Sequence, residues 1–171
     1  TAVDRWEQGV VPSLYQSDTS WADVPYGQAT LASTGAAPVS LAMAYVAATG
    51  DTTYTPVEFA QWATDHDLTA AGVDTIGAFL QQAGSAFGLA VEPMAVDDRT
   101  LRHAIVSNVP VLVVTQPGTF APAASVVVLD DIDKDSRIVL HDPTSASRSA
   151  KGWAFGDITG AAALAFTVHE A

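Results

Sequence analysis

Apolar residues change their spacing as the chain proceeds, from helical periods in the first half to β-type runs in the second. Up to about Gly35 no period is sustained: Val10, Val11, Leu14, Trp21 and Tyr26 are scattered around Pro12 and Pro25, which predicts an ordered, irregular arm anchored by its aromatics. From Ala36 to about Thr49 helix formers dominate, Leu41, Ala44, Tyr45 and Ala48 recur at helical spacing, and Gly50 follows as a stop signal. Most sides of this segment are apolar, so it predicts a buried helix. Thr55-Pro56-Val57-Glu58 reads as a capping box with proline at the first helical position, opening a second helix. Ile76, Phe79, Leu80, Ala83 and Phe87 recur every three or four residues ahead of Gly88 and predict a third.

Strands take over from there. Leu89 to Met94 reads as a strand, Asp97 or Asp98 caps a short helix through Val106 with Asn108 taking a left-handed exit, and Pro110 to Thr115 is an apolar strand. Ser125 to Ile132 and Arg137 to His141 are β-branched runs joined by the turn composition Asp133-Lys134-Asp135-Ser136, and a last strand lies near Ala163 to Val168 after a polar, serine-rich loop. Helices first and an antiparallel meander later predict an α+β fold, with N-terminal helices packed on one face of an antiparallel sheet. No repeat or linker divides the chain, so a single domain spanning residues 1–171 is expected.

Composition narrows the function classes. With 171 residues, 49% of them hydrophobic and 15% charged, the chain can build a real core. Seven basic residues against nineteen acidic ones, a net charge of −12, leave no basic stripe for nucleic acid or anionic membranes. The longest apolar run, Ala36 to Ala48, contains Pro38 and Ser40 and falls short of the roughly 20 residues that span a bilayer. The chain has no cysteine, which excludes disulfides and thiolate chemistry. An acidic, lysine-poor composition fits an extracellular or cell-surface protein.

The chemistry-bearing positions form an ordered series. Val11-Pro12 through Gln16 and Trp21, Gly35 through Ser40, Thr55-Pro56-Val57-Glu58, Gly88-Leu89, Pro110-Val111 and Asp142-Pro143 together resemble the bacterial papain-like cysteine peptidases related to bacteriocin-leader peptidases. That resemblance spans almost the whole chain and implies a papain-like fold. The family's pattern runs from a glutamine in the arm, through glycine-cysteine-glycine-proline-threonine-serine, to a glycine-histidine opening a strand and an aspartate-proline after the next strand. Gln16 and Asp142 match it, whereas Ala36 stands at the nucleophile and Ser125 at the base. By that resemblance Gln16 supplies an oxyanion-hole donor and Asp142 orients the base. A methyl group at Ala36 cannot attack a carbonyl, and the Ser125 hydroxyl accepts no proton near neutral pH, leaving Asp142 to hydrogen-bond a hydroxyl.

Other constellations are weaker. Ser40 lies one turn into its helix, where a hydroxyl bonds a backbone carbonyl, and His141, next to Asp142 in a strand, points to the opposite face. His66, His103 and His169 show no zinc spacing. Asp131, Asp133 and Asp135 alternate as in calcium loops, but Ser136 replaces the needed glycine, which favours a hairpin turn. Trp6, Trp21 and Trp62 read as anchors, with Trp153 the one tryptophan suited to a groove. The sequence thus points to a pseudo-peptidase without cofactor or metal that binds an extended peptide or protein segment. A purely structural module of a larger secreted protein, and a hydrolase using Ser125 or Ser33 with Asp142, are the alternatives.

Overall fold

The computed structural model describes residues 6–171. The arm buries Trp6, Val11, Leu14, Trp21 and Tyr26 against the core, as their apolarity requires. It closes with a small hairpin, β1 (Pro25–Tyr26) and β2 (Ala29–Thr30), turned at Gly27 with φ of 62°. A single helical turn, α1 (Leu31–Thr34), follows and abuts α2 (Ala36–Thr49) at Gly35. A Cβ at Gly35 would stand 2.6 Å from the Leu31 carbonyl oxygen, so the close junction needs glycine.

Residues Ala36 to Ala47 of α2 are all buried, and Gly50 ends the helix in the left-handed region at φ of 72°. α3 (Pro56–Asp65) begins with the expected capping box: the Thr55 oxygen accepts from the Val57 amide and Glu58 accepts from the Thr55 amide at 2.7 Å. α4 (Val73–Ala86) buries Ile76, Phe79, Leu80 and Ala83. Next come β3 (Leu89–Pro93) and α5 (Asp98–Val106), the latter capped by Asp97, which accepts from the Thr100 amide at 2.7 Å. β4 (Val111–Thr115), β5 (Ser125–Ile132) and β6 (Ile138–His141) form the meander. In the β5–β6 turn Asp133 Oδ1 accepts from the amides of Asp135 and Arg137, a hairpin as composition indicates. The serine-rich loop contains two short helices, α6 (Ala146–Ser149) and α7 (Phe155–Ala161), before β7 (Ala162–Glu170).

The chain is an α+β fold. Its main sheet is antiparallel throughout, in the order β3-β7-β4-β5-β6, with β7 inserted between β3 and β4. Val114, Val126, Val128 and Phe166 pack under α2, α3 and α4, while Val113, Val127, Leu129 and Leu140 pack with α5 and α7 on the opposite face. Helices therefore cover both faces, not one. The physical reason is the unbroken apolar run of β4 and of Val126 to Leu129: a strand that can face water on one side alternates, and these do not. α5 supplies the second cover because Leu101, Ala104 and Ile105 form its buried stripe. Among the described residues no helix is long and apolar enough to cross a membrane.

Candidate functional site

A cleft of about 280 Å³ opens where the arm, the start of α2, the loop before α4 and the loop before β5 converge. Ala36 and Ala37 come from α2, Thr69 to Ala71 from one loop, Ala121 to Ala124 from the other, and Thr144 from the segment after β6. Gln16, Tyr26, Ser33, Thr34 and Ser125 complete the polar part of the lining. Among the described residues no lining side chain carries a thiol, imidazole, carboxylate or amine. Burial pushes the Tyr26 phenol up to about 12, so near neutral pH it stays protonated and cannot act as a base. The cleft can donate and accept hydrogen bonds and bury methyl groups, but it holds no general base for neutral pH.

Gln16, Ala36 and Ser125, separated by up to 109 positions in sequence, line this one cleft. Ala36 is the first residue of α2 and 9% exposed, so its methyl and the unshared amides of the first helical turn face the same end. The Gln16 amide donates to the Pro143 carbonyl at 2.9 Å, which ties the arm to the segment after β6. Its side-chain Nε2 donates to the Ala32 carbonyl at 2.7 Å. A carbonyl only accepts, so this bond fixes which carboxamide atom is nitrogen, and Oε1 is left buried without a partner. A donor group expected to face an oxyanion is thus turned to the backbone.

Ser125 opens β5 opposite Thr115, and it is 2% exposed with its hydroxyl unpartnered, as is that of Thr115. Strand alternation gives Ser125 the parity of Val127 and Leu129, which pack away from α2, while Ala124 packs with the α2 side. On that parity Ala124, just before β5, lies on the α2 side of the sheet, and both it and Ser125 line the cleft.

Asp142 lies outside the lining and is 1% exposed. One carboxylate oxygen accepts from the amide and hydroxyl of Thr144 at 2.8 and 2.6 Å, and the other from Arg148 Nε at 2.7 Å. The expected hydroxyl partner exists, but it is Thr144, and Asp142 meets the cleft only through that residue. Neighbouring His141 bonds Asp130 at 2.9 Å and Ser13 at 3.3 Å, none of them in the cleft lining, and fastens the arm to β5 and β6. Trp153 is buried against Phe120 with ring centroids 4.9 Å apart and lines no groove there. Among the described residues no group of three or more histidines and carboxylates could hold a metal ion.

No family model, no curated protein and no solved structure matches the chain.

Proposed function

We propose that the chain is a catalytically silent relative of the papain-like peptidases that binds an extended peptide or protein segment in this cleft without cutting it. The observation that carries the reading is the convergence of Gln16, Ala36 and the start of β5 on one open cleft whose lining has hydroxyls, methyls and an amide but no nucleophile–base pair. Neither Ala36 at the start of α2 nor Ser125 and Ala124 at the start of β5 offers a thiol or an imidazole, the groups that would act as nucleophile and base. An open volume of about 280 Å³, rather than a groove filled by the chain's own side chains, supports binding over a purely structural role. The hydrolase reading lacks support from Asp142, whose carboxylate is spent on Arg148 and Thr144.

The test is turnover. A terminally blocked peptide library incubated with the protein and read by mass spectrometry should remain intact, and a fluorophosphonate should label no serine. The double variant Ala36→Cys with Ala124→His should gain thiol-dependent cleavage, whereas Ala36→Cys with Ser125→His should not. Cleavage by the unaltered chain, or labelling of Ser125 or Ser33, would overturn the silent-site reading in favour of altered-nucleophile chemistry.

A further inference from the structure

We propose that the cleft recognises the amide group itself, with a ligand N–H donated to Gln16 Oε1 and a ligand carbonyl accepting from the Tyr26 hydroxyl; this rests on the peptide-binding reading above and makes it specific. Gln16 lines the cleft, and the Nε2 bond to Ala32 leaves its Oε1 as a buried acceptor without a donor. Such an acceptor costs free energy until a donor reaches it. It is shielded from solvent, so a ligand reaches it through a turn of the carboxamide about its soft terminal torsion, which also moves Nε2 on the Ala32 carbonyl.

Tyr26 lines the same cleft and is 4% exposed, and among the described residues its hydroxyl has no hydrogen-bond partner. Because burial keeps the phenol protonated, it is a donor across the whole physiological range. One acceptor and one donor among the lining residues are the two partners that the N–H and C=O of an amide require. The rest of the lining decides what is refused. Among the described residues no charged side chain lines the cleft, so an ionised ligand group would lose its hydration there with no charged partner among them. An ester or a tertiary amide would leave Oε1 unpaired, and a site with an unpaired polar group discriminates strongly against the ligand that lacks the partner.

The experiment is a titration of the ¹⁵N-labelled protein, followed by NMR, with N-methylacetamide, N,N-dimethylacetamide and methyl acetate as probes. N-methylacetamide should shift the Gln16 side-chain amide and the backbone amides of Ala36, Ala71 and Ala124. Matching that shift should take on the order of tenfold more of the dimethyl compound or the ester, since neither has an N–H. In Gln16→Met, which keeps the length of the side chain but removes the acceptor, the three probes should become equal. Should that variant fail to fold, Tyr26→Phe is the second check, and it should weaken all three probes alike while preserving the preference for the N–H compound. Equal shifts by N-methylacetamide and N,N-dimethylacetamide in the unaltered protein would overturn the inference and leave peptide binding standing. No shift by any probe, together with no retained peptide, would overturn both.

Discussion

Asp142 and Arg148 form an ion pair with the carboxylate fully buried and the guanidinium side chain 30% exposed. Removing only the cation strands a charge in the interior, which is far more costly than replacing both partners. Arg148→Met should therefore lower stability by about 3 kcal/mol, measured by urea unfolding. Peptide retention at the cleft should persist under native conditions, because neither residue lines it. Loss of binding with unchanged stability would place Asp142 back in the site. The sequence shows Asp142-Pro143 and its strand plainly, but the partner of Asp142 was not legible. Arg148 sits six residues on, in a short helix that composition reads as loop, and only folding brings its Nε to 2.7 Å. Gln16 is similar: its place in the cleft could be read, whereas the direction of its carboxamide depends on the Ala32 carbonyl.

At the level of elements, the periodic segments and their caps were the most legible part, because each rests on local hydrogen bonds. Thr55 accepts from the Val57 amide, and its own amide is held by Glu58. Thr55→Ala should cost about 1 kcal/mol in urea unfolding, and a change within error would mean that tertiary packing alone holds α3. At α5 the Thr100 amide and hydroxyl hold the Asp97 carboxyl below its ordinary range. A carboxyl depressed in the folded state stabilises it above the ordinary carboxyl pKa, and that contribution fades as pH falls through the depressed value. Amide exchange at Thr100 should accordingly quicken on acidification below the ordinary carboxylate range, after correction for intrinsic rates, and do so less in Asp97→Asn. Equal acid sensitivity in the two proteins would show that the cap does not govern the end of α5. What local patterns could not give was the side of the sheet on which each helix lies. α5 has a clear stripe, yet nothing within Asp98–Val106 says that it covers Val113 and Val127 from the face opposite α2.

Across the whole molecule, the architecture explains why one cleft collects residues from distant parts of the chain. α2 is sandwiched in the core and tied to the sheet by Ser40, whose hydroxyl donates to the Val126 carbonyl at 2.9 Å. Its N-terminus is thereby fixed against the start of β5. The arm is fastened at several points, among them Gly9 to Ala47, Ser13 to His141 and Gln16 to Pro143, which carries Gln16 to the same place. A rigid scaffold with loops at one end suits recognition, and the loop carrying Ala70 and Ala71 forms an exposed wall of the cleft. Strand parity is the point at which the whole fold revises the site, since Ser125 belongs to the α5 side and Ala124 to the α2 side. Sequence alone left that open because the loop before β5 contains three alanines and a proline, with no alternation to count until Val126.

The most direct measurement is affinity selection of a terminally blocked, uncharged peptide library by the unaltered protein and by Ala71→Trp. This substitution fills the cleft from an exposed loop and leaves the core untouched. The unaltered protein should retain a subset of peptides saturably and release them intact, while the folded variant should retain none of that subset. Equal retention by both proteins, or none by the unaltered one, would contradict binding in the cleft.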